Sequence, residues 1–492
     1  MKSEKMSEAI GLIDDELIEK ADKKRKKRGV SRLFRMSAMA VATVALASSI
    51  CLVLVEIMSK VEPTTVYAIS EAKYPDTVAY PKEEDFIDAK TGEVDYEGYE
   101  EKYMEWNEAR RKQNSYAQDY TDGMKNYCKN TTKQFLYGSE EENQTYSPLN
   151  VYMALSMLAE VTDGNSRKQI LSLLGENSIE NLRTQANALW NANYINDGAT
   201  TSILANSFWL NDEREYNKKT LTTLMEQYYA SSYQGEMGSE GYDKKLQDWL
   251  SEQTGGLLKD QASEIKMKRE TIMALASTIY FNAKWSEEFF EAETKKATFH
   301  GYNKAVETDF MNQSFMDTYY WGKNFGVVEK KFQNGGSMWL VLPDETTTAK
   351  ELLESDEVFQ MIDMGDGWKE QKELKINLSM PKFDVTSDFD LSDGLKKLGV
   401  TDVFDEAVSD FSPMTENAKG IILSKASHAV RVQVDEEGCS AAAFTVLQMV
   451  GTSAPADEVK EIDFVLDRPF LFFITGADGL PLFAGIVNQV EN

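Results

Sequence analysis

Between Arg35 and Glu56 the chain runs from Met36 to Val55, "MSAMAVATVALASSICLVLV", without a single charge. Twenty helical residues rise about 30 Å, the thickness of a bilayer's hydrocarbon core, so this pattern predicts one membrane span over 36–56. The stretch that follows, 57–111, is acidic and tyrosine-rich, carries Pro63, Pro75 and Pro81, and reads as a stalk or linker. Its later part, from Tyr96, has Tyr99, Tyr103 and Trp106 on one helical face, which leaves docking on the next domain open. From 112 to 492 helical and strand patterns alternate without the regular rhythm of a doubly wound sheet, which predicts one α+β domain. Asn150–Asp163 places Val151, Leu155, Leu158 and Ala159 on one helical face. Ala205–Asn211, Thr271–Trp285 and Ser337–Pro343 have the β-branched and aromatic content of buried strands. Alternating strands then precede a helix with Leu391, Leu395 and Leu398 in register.

Charge sets an orientation and removes one class of function. Residues 1–35 carry the basic run "KKRKKR" just before the uncharged stretch, so the positive-inside rule makes 1–35 a cytosolic tail and puts the rest outside. A cleaved signal is the competing reading, since "ALA" at Ala45–Ala47 has the small-x-small pattern of a cleavage site and would release a secreted protein. Cys51 reads as a lipid-facing residue rather than a lipidated one, because Ile50 precedes it. The whole chain holds 53 Lys and Arg against 81 Asp and Glu, net -28, a balance that repels nucleic acid. The three cysteines, Cys51, Cys128 and Cys439, are far apart and form neither a disulfide framework nor a metal cage.

Searches for catalytic patterns return little. Histidine occurs only at His300 and His428, and GxSxG, HExxH and P-loop motifs are absent. Nothing calls for a cofactor or a metal. A hydrolase built on His428 and a remote serine has no local support.

One segment remains unexplained by these readings: "VDEEGCSAAAFTVLQMVGTSAPADEVKEIDF", Val434–Phe464, two acids and a glycine leading into small and then β-branched residues. Taken alone, "SAAAF" reads as a turn or a helix start. In company it reads otherwise. "TYSPLNVYMALSML", "STIYFNAKWSEEF" with Thr294 and Phe299 after it, "MPKFDV", "LGVTDVFDEAVSDFSPM", "ILSKASHAVRVQVDEEG" and the terminal "RPFLFFI" and "PLFAGIVN" occur in order. Together they resemble the serpins, here in a membrane-anchored, bacterial-type form, and the resemblance covers nearly all of 112–492.

The resemblance implies the serpin fold, helices around three β-sheets with an exposed reactive loop. A target protease cuts that loop, which then enters a large sheet as a new strand. It implies a hinge at Glu436, Glu437, Gly438, Cys439, Ser440, Ala441, Ala442 and Ala443, with Gly438 free to cross between backbone regions. Period two puts Cys439, Ala441, Ala443 and Thr445 on the inserting face and Phe444 on the other. Counting from Gly438 places the reactive bond between Thr452 and Ser453, with Met449 or Val450 as alternative reactive residues. Trp285 matches a tryptophan under the top of the sheet, and Ser147, Asn150, Ser277 and His428 match a polar cluster controlling its opening. Cys439 stands where the family usually has Thr or Ser, Ser277 replaces an asparagine and Asn150 a serine. The implied function is a serine protease inhibitor acting by covalent trapping and not an enzyme. The expected partner is an elastase-like protease, because no Lys or Arg lies between Gly438 and Val459. A monomer is expected, and the alternative is a non-inhibitory serpin-fold binding or substrate protein at the cell surface.

Overall fold

Ser337–Pro343 form a strand buried at every residue, with the bounds that the apolar run predicts. In the computed structural model the described residues are 67–88, 90–115, 121–136, 141–333, 335–423, 426–439 and 460–490. Along the chain come β1 (Ala68–Ser70), α1 (Tyr96–Asn114), α2 (Thr121–Leu136), β2 (Gln144–Tyr146), α3 (Pro148–Glu160), α4 (Gly164–Leu174) and α5 (Ile179–Asn193). Next are β3 (Ile195–Asn196), β4 (Thr200–Asn211), α6 (Lys218–Tyr228), β5 (Ala230–Gly235), α7 (Glu240–Gln253), α8 (Lys259–Glu264) and β6 (Met273–Lys284). Then follow β7 (Lys295–His300), β8 (Ala305–Trp321), β9 (Phe325–Lys331), β10 (Ser337–Pro343), α9 (Ala349–Glu354), α10 (Glu357–Met364) and β11 (Gln371–Pro381). The last are β12 (Phe383–Asp390), α11 (Ser392–Lys397), β13 (Ser427–Val434), β14 (Gly438–Cys439), β15 (Glu461–Val465), β16 (Phe470–Thr475) and β17 (Pro481–Val487).

The first sheet has the order β1-β5-β4-β6-β14-β13-β12, with β3 on β4. The second runs β15-β11-β8-β9-β10-β16-β17-β2, with β7 on β8. Two of the three expected sheets are thus joined, because the long β8 pairs with β7 and β11 and only its last residues, Tyr319–Trp321, pair with β9.

Helix α3 lies in the main core, with twelve of its residues from Pro148 to Glu160 buried, as befits a helix apolar on all sides. Ser147 caps it, accepting from Asn150 N–H, and Pro148 fills the first turn, where a missing N–H costs nothing. Helix α7 covers a separate cluster, in which Trp209 and Tyr233 of the sheet meet Tyr242, Leu246 and Trp249.

The expectation of a stalk over 57–111 needs correction from Tyr67 onward, since Tyr67–Asn492 form a single compact unit. Strand β1 extends the first sheet at the edge of β5, pairing Ala68 with Tyr233 and Ser70 with Ser232. Tyrosines of this stretch find aromatic partners: Tyr74 meets Trp190 and Tyr194, each at 5.4 Å, and Tyr80 meets Trp106 at 5.1 Å. Of the helical face Tyr99, Tyr103 and Trp106, only Trp106 is buried, and Tyr103 remains exposed. Among the described residues no helix is long and apolar enough to cross a membrane. Residues 1–35 and the run expected to span, 36–56, lie outside the described residues.

Candidate functional site

Strand β13 ends at Val434, and the chain reverses over Asp435–Glu437. The turn is held by Asp435, whose carboxylate accepts from Glu437 N–H at 3.0 Å and Gly438 N–H at 3.2 Å. The chain then descends as β14 between two strands. Cys439 pairs with Val434 of β13 on one side and with Ala283 of β6 on the other, and Gly438 pairs with Lys284. At this level β6 and β13 are two ladder steps apart, about 9.6 Å. Below it, among the described residues, β6 and β13 share no ladder. The sheet is therefore one strand wider at its top than β6 and β13 alone would make it. Midway down, a cleft is lined by Ile279–Phe281 of β6 and Ala429–Arg431 of β13. Asn150 and the α7–α8 turn, Thr254–Leu258, complete its walls.

In this conformation Gly438 is required by close packing of two backbones. It is not among the left-handed glycines. A Cβ at this position would lie 2.3 Å from the Ala283 carbonyl oxygen and 2.8 Å from Lys284 Cα, so close approach of two backbones demands the glycine. Cys439 is buried, and burial pushes its thiol well above the usual range, leaving it a small neutral filler.

Around Asp435–Gly438 a set of groups fixes the turn. Trp285, fully buried, donates from Nε1 to Asp435 O and from its backbone to Glu437 O, each at 3.0 Å, and stacks on Phe332 at 4.9 Å. Phe289 N–H donates to Glu436 O at 3.0 Å. The Glu436 carboxylate meets Lys382 Nζ at 2.8 Å and accepts from Thr294 Oγ1 at 2.8 Å. Burial would raise its pKa, but these two partners outweigh burial and hold it below the usual carboxylate range. Lys330 lies beneath, with its ammonium 4.8 Å from the Phe289 ring and 5.9 Å from Trp285. Burial pulls its pKa down to about 8, while the bond it donates to Glu287 O at 2.6 Å satisfies the charged form.

The polar cluster lies behind the middle of the same sheet. Ser147 N–H donates to His428 Nε2 at 3.1 Å, and Ser147 Oγ donates to Leu482 O at 2.6 Å. Asn150 Nδ2 donates to Ser277 Oγ at 3.1 Å, Ser277 Oγ donates to Asn206 Oδ1 at 2.8 Å, and Asn206 Nδ2 donates to Tyr228 O at 2.9 Å. Burial holds the His428 imidazole neutral, its pKa pulled down to about 3.

The structure thus brings Glu436, Glu437, Gly438, Cys439 and Trp285 to one place and Ser147, Asn150, Ser277 and His428 to another. Ser440, Ala441, Ala442, Ala443, Met449, Val450, Thr452 and Ser453 lie outside the described residues. Sequence reasoning missed Asp435, Lys382, Lys330 and Asn206. Asp435 had a signal, an acid three residues before a turn glycine. Lys382 had one as well, inside "MPKFDV". Asn206 had none, because its role depends on the register that sets it opposite Ser277. Among the described residues no group of His, Cys, Asp and Glu is arranged to hold a metal.

This arrangement defines an α+β protein that folds the start of a long segment into its own large sheet. The profile of the serpin (serine protease inhibitor) family matches residues 103–490, and the chain belongs to that family. It is 28% identical over 367 residues to Serpin-ZX of Arabidopsis thaliana, covering 71% of this chain and 92% of the relative. It is 28% identical over 351 residues to the leukocyte elastase inhibitor of Homo sapiens, covering 69% and 91%. Among solved structures, native tengpin, a thermophilic serpin, superposes with a TM-score of 0.66 at 24% identity, covering 75% of this chain and 93% of the other.

Proposed function

We propose that the chain inhibits an elastase-like serine protease by letting its loop be cut and then inserting that loop between β6 and β13. The observation that carries this reading is the position of Gly438 and Cys439, already paired to β6 and β13 at the top of the sheet. In the proposed step the protease's serine hydroxyl attacks the Thr452 carbonyl, the bond to Ser453 breaks, and the new amine at Ser453 leaves. The remaining ester joins protease and loop. Insertion of 440 onward as a strand then carries the tethered protease off before water reaches the ester. Both β6 and β13 offer backbone edges for that strand, and this kind of strand addition draws its affinity from main-chain hydrogen bonds. The small residues Ala441 and Ala443 suit the inward face.

Target class follows from the loop's chemistry. Thr452 and Val450 fit a small, shallow pocket, and a trypsin-like pocket would find no basic residue before Val459. The similarity to a leukocyte elastase inhibitor supports the same class. Incubation with a panel of serine proteases, read on denaturing gels and by mass spectrometry of the released fragment, tests this. The expected result is a covalent adduct with an elastase-like enzyme and a cut within Met449–Ala454. Cutting without an adduct for every protease would favour the non-inhibitory reading. The same proposal includes a tether: the uncharged run after "KKRKKR" anchors the chain with 57–492 outside the cell. A mature N-terminus near Ser48 would instead mark a cleaved signal.

A further inference from the structure

Helix α7 packs on the part of the first sheet made by β5, β4 and β6. Its Tyr242, Leu246 and Trp249 cluster with Trp209 of β4 and Tyr233 of β5, and Ala274 and Ala276 of β6 lie against the same cluster. The helix ends at Gln253, and the chain turns through Thr254–Leu258 into α8. One side of that turn rests on β6. A Cβ built on Gly255 would lie 2.7 Å from Tyr280 Cζ, so the backbone already touches the ring. The other side is bound to β13: Arg431 Nη1 donates to Leu257 O at 3.2 Å. The rest of that guanidinium is held by Asp384 of β12, which accepts from Nε at 2.9 Å and from Nη2 at 2.6 Å.

The turn therefore bridges the cleft between β6 and β13. Phe281 and Val430 point into the main core, and alternation puts Tyr280 and Arg431 on the outer face, where the turn meets them. Strand β14 pairs Gly438 with Lys284 of β6 and Cys439 with Val434 of β13, antiparallel to both. Continued in that register, an entering strand comes level with Tyr280 and Arg431 at one and the same residue. It would then run beneath Thr254–Leu258. Such a strand points every second side chain outward, into the face that the turn covers, so the turn must rise while the strand enters. Rising parts Leu257 from Arg431, because a bond already 3.2 Å long tolerates little stretch.

From this we infer that Arg431 is a positioning residue for insertion: it clips the α7–α8 turn across the path between β6 and β13, and release of the clip sets the rate at which the strand enters. The inference rests on the loop-insertion reading above. A hydrogen bond from a charged donor is strong enough to change a rate about tenfold.

The full-length chain, as parent, Arg431→Met, Asp384→Asn and Gly255→Ala, is mixed with a serine protease that cuts the loop, and the ratio of trapped adduct to released cut product is read on denaturing gels. Trapping competes with hydrolysis of the ester, so this ratio follows the rate of insertion. The expected result is a ratio about tenfold higher for Arg431→Met than for the parent. Gly255→Ala, whose Cβ would strike the Tyr280 ring, lifts the turn from the β6 side and should raise the ratio too. Asp384→Asn removes the neighbouring charge but leaves Leu257 O to Arg431, and its ratio should stay near the parent's. An unchanged or lower ratio for Arg431→Met overturns the clip, as does an equal rise for Asp384→Asn. A merely structural role for Arg431 would lower the Tm of the uncut protein and the ratio together. Where Arg431→Met fails to fold, Gly255→Ala decides, and an unchanged or lower ratio there overturns the clip. The parent separates this from the insertion reading: a parent that gains no heat stability on cutting contradicts insertion itself, and the clip falls with it.

Discussion

At Gly438 two backbones pass so closely that a single methyl group decides whether β14 seats against β6. Gly438→Val would press its Cβ into the Ala283 carbonyl, 2.3 Å away in the present geometry. The expected outcome is a loop that is still cut but whose cutting raises Tm far less than in the parent, measured by calorimetry on the cut protein. His428 makes a second prediction. The unfolded chain takes up a proton near pH 6.5, whereas the folded imidazole resists until about 3. The folded pKa is therefore depressed, so the contribution to stability is complete above pH 6.5 and is lost as pH falls toward 3. The slope is at most about 1.4 kcal/mol per pH unit. His428→Gln should flatten the pH dependence of stability between 6.5 and 5.5, where few carboxylates titrate, and denaturant melts across that window check it.

At the scale of elements, Asn206 of β4 links two layers through Ser277 of β6 and the Tyr228 carbonyl at the end of α6. Asn206→Leu leaves buried partners without their bonds, and a loss of roughly 1–3 kcal/mol follows from the cost of an unsatisfied buried group. Urea midpoints of the uncut protein measure it. The elements themselves were largely legible. β10 and the helix α3 follow from their apolar runs, because each buries against neighbours that accept any residue of the right shape, and β6 follows from its aromatic and β-branched run although only Thr278, Phe281 and Ala283 of that strand are buried. The polar cluster was legible only as a resemblance, and its wiring was not. A serine and an asparagine have exchanged places relative to the family pattern, and only the register of β4 against β6 shows that Asn206 completes the chain of bonds. The segment 67–111 was misread for a related reason. Prolines and acids mark it as a stalk, yet Tyr74 packs on Trp190 and Tyr194 and Trp106 donates to Asp197, pairings far along the chain that local composition does not encode.

For the whole molecule, the proposal of strand insertion starts from the turn at Asp435 and the short strand β14, paired to both β6 and β13. On the proposed mechanism, inhibition depends on a race between insertion and hydrolysis of the ester. The residue that probes the race without touching recognition is Ala441, which the period-two expectation puts on the inserting face, eleven residues from Thr452. An arginine there would have to be buried unpaired beneath the sheet, at a cost of at least several kcal/mol. Ala442→Arg, on the opposite face, serves as the control. The decisive measurement is the fraction of an elastase-like protease held in a covalent adduct on denaturing gels, for the parent, Ala441→Arg and Ala442→Arg. The account predicts trapping by the parent and by Ala442→Arg, and cutting with release by Ala441→Arg. Equal trapping by Ala441→Arg and the parent would contradict insertion of this loop as the source of inhibition.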